Sequence, residues 1–325
     1  MRTVARAGFA ALAATGLIAG ALALAAGLAQ AEDYPARTIS LIVPYPAGGG
    51  VDTVGRVIAN KLSDGLGQQV IVVNKPGAGS VIGVRDAARS APDGYTILML
   101  VTGASLPANP GYDLEKDFEP IGLVASIPIV IMAHPSLPVK TMTDIVALAK
   151  KEPGKYNIGT PPSPTLNYFG AEMFKSMTGA DVVVVPYKGT GPLTTDLLGG
   201  HVKLAFNTLP PAIGNIKAGG IRAIAVAAPE RLAAIPDVPT TKEAGLALDI
   251  VQYYGLVAPA KTPKEIVARL NKELNKVLAM PDIKERLIGD GGAAMPSTPE
   301  AYAANIRDNE SKWAALIKKL GLVVK

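Results

Sequence analysis

The chain has 325 residues, 49% of them hydrophobic and 18% charged, which excludes a disordered or fibrous protein and supplies a sizeable core, most naturally in two domains. It holds no cysteine, so disulfide stapling, thiol catalysis and thiolate metal sites are excluded. The formal net charge falls from +5 to about +3 without residues 1–31, which carry two arginines and no acid; with lysines and acids interspersed along the rest, nucleic-acid binding is excluded as well.

Arg2 and Arg6 lead into an Ala/Leu/Gly-rich run from Gly8 to Leu28, followed by Ala29-Gln30-Ala31. A charged start, an apolar middle and an A-x-A end make a cleavable export signal. The run approaches the ~20 residues needed to span a bilayer, but its alanine-rich weakness and the A-x-A end favour cleavage after Ala31 over a retained anchor. The exported chain then begins near Glu32, with no other membrane segment.

From Thr38 one pattern recurs: a short β-rich run, a Gly/Pro/Ser-rich loop, then a helix-period segment. Ile39, Leu41 and Val43 open a strand, "PAGGGVD" is its loop, and Val54, Val57, Ile58 and Leu62 follow at helical spacing. Val70 to Val73 is a second strand, "NKPGAGS" a loop and Val81 the start of a helix, before "APDGYTILMLV" gives a turn and a third strand. Ile129 to Ala133, just after Pro128, is a strand; "TMTDIVALAKKEPGK" is a helix closed by Pro153-Gly154; "YNIGT" is a short strand. "PPSPT" is a loop before the helical "LNYFGAEMFKSM". Next come "DVVVVPYKG", "VKLAFNT", "IRAIAVAA" and "IVQYYGLVAPA", strands separated by short helices. Thr262 to Glu265 reads as a capping box with proline at the first helical position, opening a helix with Ile266, Val267, Leu270, Leu274, Val277 and Leu278 on one face. Strands alternating with helices imply parallel βαβ units and an α/β class. No fixed-period repeat or low-complexity linker marks a domain boundary.

The usual catalytic players are missing. His134 and His201 both sit in loops, and no H-E-x-x-H, G-x-S-x-G or paired-histidine spacing occurs. The "GAGSVIG" stretch imitates a dinucleotide fingerprint, but its spacing is G-x-G-x-x-x-G and Ile97 to Ala104 lacks the ribose-binding acid. A turn with close helix–strand packing accounts for it, and no cofactor or metal is expected. What is present is a set of loops, "PAGGGVD", "GTPPSPT" and "PYKGTG", that follow strands and carry small residues where helices begin. A helix start presents free N–H donors and a partial positive charge, and glycine lets an anion approach the backbone. Four to six hydrogen bonds to a charged group sum to roughly 6–18 kcal/mol, and micromolar binding needs about 8 kcal/mol. Asp52 would repel a bound carboxylate and is expected to turn back into the first turn of its own helix. Lys188 stays open between a ligand contact and a solvated turn residue, as do Tyr45, Tyr187, Tyr253 and Tyr254 between pocket walls and ordinary packing.

The ordered stretches "YPARTISLIVPYPAGGGVDTVGR", "VVNKPGAGSVIG", "APDGYTIL", "YDLEKDFEPIGLVA", "VPYKGTGPLTTDLLGGHV", "IKAGGIRAIAV" and "RLAAIPDVPTTKEAGL" resemble the Bug-type substrate-binding proteins of tripartite tricarboxylate transporters, from about Tyr34 to the C-terminus. The resemblance implies a periplasmic, non-enzymatic receptor with a two-lobed, type II-like periplasmic-binding-protein fold and two interlobe crossovers. They should fall near His134 and Val257: residues 1–31 the signal peptide, 32–134 plus 258–325 the first lobe, 135–257 the second. It implies a small organic carboxylate in the cleft, delivered to membrane permease subunits. Tyr45, Ala47, Gly48 and Gly49 would contribute from the first lobe, and Thr160, Thr165, Pro186, Tyr187 and Gly189 from the second. Tyr168 stands where relatives often have histidine, which would suit a larger, flatter acid. A receptor presenting ligand to a sensor histidine kinase, and an exported enzyme using Lys188 or a tyrosine, are the rival readings.

Overall fold

The computed structural model describes residues 34–107 and 109–321; the proposed export signal lies outside them. Strand β1 (Ile39–Val43) pairs in parallel with β2 (Val70–Asn74) and with β3 (Thr96–Val101). Helix α1 (Gly50–Leu66) follows β1 and ends at Gly67, whose φ of 70° is the left-handed conformation that glycine adopts without cost. Helix α2 (Val81–Ala88) follows β2.

The sequence pattern leads to parallel pairing, and here the structure departs from it. Between the parallel groups lie two antiparallel strands, β4 (Phe118–Ala133) and β9 (Val251–Pro259). Strand β4 has 16 residues, extending well upstream of the expected Ile129–Ala133 and enclosing both Pro120 and Pro128. Proline cannot donate to a ladder, and both prolines sit where no regular donation is required. Pro120 adjoins a register shift, and Pro128 is the last residue of β4 paired with β9. From Ile129 onward β4 pairs instead with β7 (Leu204–Thr208) and β8 (Arg222–Ala227).

The second half of the sheet is completed by β5 (Asn157–Thr160) and β6 (Val183–Pro186), parallel to each other, with β5 also parallel to β7. The path through the sheet is β2-β1-β3-β9-β4-β7-β5-β6. Helices α3 (Met142–Lys151), α4 (Leu166–Thr178), α5 (Thr190–Leu198) and α6 (Ile213–Lys217) connect its strands, whereas residues 228–250, between β8 and β9, form no helix. A reciprocal capping box that the sequence reading passed over, Thr141 with Asp144, starts α3.

The C-terminal part is helical as expected, with α7 (Lys264–Ala279), α8 (Pro281–Gly289) and α9 (Pro299–Lys319), and β10 (Ala293–Ala294) added against β4. The expected capping box at Thr262 does not form. Its hydroxyl donates to the Pro259 carbonyl at 2.7 Å, and Pro263 occupies the cap position. Helix α9 joins two cores: Tyr302 and Ile306 pack with Ile42, Leu98 and Val257, while Trp313 and Ile317 pack with Ile131, Phe169 and Phe206. On β9, Gly255 faces the Tyr302 ring so closely that any Cβ would overlap it. Gly255→Val is therefore expected to cost about 3 kcal/mol or more, at or above the top of the range for overpacking, read as a lowered urea midpoint; an unchanged midpoint would show that α9 docks otherwise.

Candidate functional site

Five segments meet where the two halves of the sheet face each other: the loop from Pro44 to Gly49, the loop from Pro76 to Ser80, the loop from Pro161 to Thr165, the turn from Tyr187 to Gly189, and Thr208 at the end of β7. Four of them follow the carboxyl ends of parallel strands, where open α/β sheets bind their ligands. The two sides touch at glycines. A Cβ on Gly49 would lie 2.7 Å from Thr190 Oγ1, one on Gly50 2.8 Å from Thr208 Oγ1, and one on Gly189 3.0 Å from Pro46 Cγ.

Between these segments lies a narrow cavity of about 30 Å³, room for a carboxylate-sized group or about two waters. The N-terminal turns of three helices line it: Gly49, Gly50 and Val51 from α1, Thr165 and Asn167 from α4, Gly189 and Thr190 from α5. Its lining includes no charged side chain. An amide chain forms one wall, in which Gln252 Nε2 donates to Asn167 Oδ1 at 2.7 Å and Asn167 Nδ2 donates to the Phe206 carbonyl at 3.3 Å. Thr208, which also lines the cavity, is buried with its hydroxyl lacking any hydrogen-bond partner. A larger chamber of about 520 Å³ adjoins it, sharing Tyr45, Pro46 and Pro162.

The glycine loop is held from behind. The Asp52 carboxylate accepts the Gly48 N–H at 2.9 Å, Arg56 Nε at 3.0 Å and Asn74 Nδ2 at 2.8 Å, and Asn74 Nδ2 also reaches the Tyr45 carbonyl at 3.1 Å. Asp52 thus serves its own helix start, as the sequence suggests. Burial alone would raise its pKa, but the hydrogen bonds from Arg56, Gly48 and Asn74, with the Arg56 charge, hold it below the ordinary carboxylate value. A carboxyl lowered on folding adds stability above its unfolded pKa and loses it as pH falls through the lower folded value. Asp52→Ala is expected to cost about 1.5–3 kcal/mol at neutral pH and progressively less in acid. Equal destabilisation at pH 7 and pH 2 would contradict this account.

The structure brings together some of the expected site residues and not others. Tyr45, Gly49, Thr165 and Gly189 line the small cavity, and Tyr45, Pro186 and Tyr187 line the larger chamber. Ala47 and Gly48 are exposed and line neither, and the Gly48 N–H is already taken by Asp52. Thr160 is buried outside both; its hydroxyl donates to the Pro161 carbonyl at 2.9 Å and its carbonyl accepts the Tyr187 N–H at 2.8 Å. Tyr168 also lines neither. Its N–H donates to the capping Thr165 hydroxyl at 3.5 Å, and its ring packs edge-on against Phe169 at 5.7 Å, so helix register turns Asn167 to the cavity and Tyr168 away. Lys188 is exposed at the chamber's edge. Burial pushes the Tyr45 hydroxyl up to about 12, countered by Ser80 and reinforced by the Glu310 charge. Burial and then the hydrogen bond to Asp196 push Tyr187 up to about 12. Asn167, Thr190, Thr208 and Gln252 are cavity residues that the sequence reading did not assign, and Tyr254, which it left open between pocket wall and packing, lines the cavity too; the polar pair Asn207-Thr208 ending an apolar strand was the available signal.

A family model described as "Tripartite tricarboxylate transporter family receptor" matches residues 54–322. The chain belongs to this receptor family. It is 33% identical to Protein BugT of Bordetella pertussis, over 97% of this chain and 98% of that protein. The solved structure of the periplasmic binding protein BugD superposes with a TM-score of 0.85 at 35% identity, covering 89% of this chain and 99% of that one. R. palustris Rpa4515, solved with adipate, superposes with a TM-score of 0.86 at 30% identity, covering 89% and 99%. The receptor family is one of periplasmic solute-binding proteins that carry out no catalysis, and its α/β fold is the one found here. Among the described residues no helix is long and apolar enough to cross a membrane, and no cluster of His, Asp and Glu is arranged to hold a metal ion.

Proposed function

We propose that this receptor closes on a small organic carboxylate and hands it to the permease subunits of a tripartite tricarboxylate-type transporter, after export to the periplasm with cleavage at Ala31. The observation that carries the reading is the narrow, uncharged cavity at three helix N-termini, with the buried Thr208 hydroxyl unpartnered beside it. Helix starts favour an anion by charge and by free N–H groups, and an unpaired buried hydroxyl is a donor awaiting an acceptor. Adipate in the similar Rpa4515 structure supports the same ligand chemistry.

The two lobes of this reading meet where β4 changes partner, at Pro128–Ile129, and where β9 begins, at Val251. Both points lie a few residues before the expected His134 and Val257. Hinge motion there would open the cleft, and ligand would shift the population toward the closed form. A thermal-shift panel tests the reading. A carboxylate at 100 times its dissociation constant adds about 2.7 kcal/mol of stability; a panel in which only neutral or cationic solutes raise the midpoint would refute it.

A further inference from the structure

Strand β9 carries a hollow on each of its faces. Gln252 and Tyr254 line the small cavity, whereas Val251 and Tyr253 line a separate hollow of about 480 Å³. Successive residues of a strand point to opposite faces, so this second hollow lies behind the cleft. Its floor continues on β4 with Ser126 and Pro128, which pair directly with Tyr253 and Val251. The points at which the two lobes meet, Pro128 and Val251, are therefore part of the hollow itself. None of its lining residues lines the cavity or the chamber in front.

The walls of the hollow belong to different halves of the sheet. On one side stand residues 228–233, after β8, where Leu232 packs into the core that holds Val130 and Val226. On the other side Met295, just past β10, packs into the core that holds Leu98 and Val257, and Ile288 of α8 adds an apolar surface that is 44% exposed. Of the two charged lining residues, Arg231 is held by both Glu243 carboxylate oxygens at 2.9 and 3.1 Å, and Glu230 is exposed. The interior suits an uncharged group, and its volume falls within the roughly 300–1,000 Å³ of small-molecule sites.

We propose that this hollow is a second, regulatory site: a bulky uncharged group seated in it holds the cleft closed and strengthens ligand binding. The inference rests on the hinge motion proposed above. In this structure the cleft walls touch, with the Cβ position of Gly49 2.7 Å from Thr190 and that of Gly189 3.0 Å from Pro46, while the hollow behind them stands open. A rotation about Pro128 and Val251 that parts the front walls draws the rear walls together, because the two hollows lie on opposite faces of the same strands. A group that fits the hollow at its present width therefore binds the closed form better, and only such a difference shifts the equilibrium. Coupling between two sites is reciprocal, so a ligand in the cleft keeps the hollow open in turn.

The chain has no cysteine, so Ala233→Cys, at an exposed position of the wall after β8, supplies a unique thiol that methanethiosulfonates convert to a methyl or a benzyl adduct. Both adducts are made with and without Gly49→Val, which wedges the cleft from the front, and are followed by solution scattering and urea unfolding. With Gly49→Val, the methyl adduct is expected to show an enlarged radius of gyration. The benzyl adduct is expected to reverse that enlargement, or to lower the urea midpoint more in the Gly49→Val protein than without it, since wedges on opposite faces of one hinge cannot both be relieved. Equal radii and additive midpoints for the two adducts would overturn the inference and leave the hinge intact. A Gly49→Val protein as compact as the wild type would instead overturn the hinge reading beneath it. Without Gly49→Val, calorimetry is expected to show the benzyl adduct binding adipate about threefold or more tightly than the methyl adduct; equal or weaker binding would likewise overturn the inference.

Discussion

Gly49→Val is expected to weaken carboxylate binding about 100-fold, or ~2.7 kcal/mol, with little change in the unfolding midpoint. The backbone at Gly49, with φ of −83° and ψ of 168°, is open to any residue, so valine adds no local strain. What valine cannot do is share space with Thr190, whose Oγ1 lies 2.7 Å from the Cβ position on the other side of the cleft. Threonine is short and branched, and it has no flexible tail to move aside. The variant should therefore fold, rest with its cleft ajar and lose the narrow cavity, a combination visible as weak calorimetric binding with a larger radius of gyration in solution scattering. Wild-type affinity in this variant would mean that the two loops do not meet when ligand is bound.

Trp313→Ala is expected to cost about 3–5 kcal/mol of stability, the usual range for truncating a buried aromatic. Trp313 is 1% exposed and belongs to the core built on the second half of the sheet, although its helix also packs on the first. Its indole N–H has no hydrogen-bond partner, so the loss is one of packing, not of polar contacts. Trp313→Phe should recover more than half of it. Urea unfolding of both variants decides: a cost under about 1 kcal/mol for alanine would show that the end of α9 is not held in that core.

Much of the fold is legible in the chain because local rules and tertiary packing agree there. The β1–α1 turn reads directly from Ile39, Leu41 and Val43, the glycines and the helical spacing after them, and so does the role of Asp52, since an acid beside an anion site has only the helix start to serve. The upstream part of β4 was hidden by its prolines, which are tolerated because the register shifts beside Pro120 and the strand changes partner after Pro128. Tyr168 lies outside both hollows because one step along a helix turns a side chain by about 100°, enough to separate it from Asn167, which lines the cavity. Thr208 on β7 and the pair Gln252 and Tyr254 on β9 come from two distant strands that topology brings beside α1 and α4, and no spacing within the chain announces it.

Helix α9 has a consequence for anyone who would build a reporter from this receptor. Because Tyr302 and Trp313 anchor α9 in both cores, the hinge motion proposed above is expected to move the middle of α9 little, and a label there would report little. Displacement grows with distance from a pivot, so the signal belongs at the far margins of the sheet. Ile71 on β2 and Val183 on β6 occupy those margins, both exposed and at opposite ends of the strand order. A donor–acceptor dye pair at these two positions turns the arms of the protein into a gauge of ligand concentration.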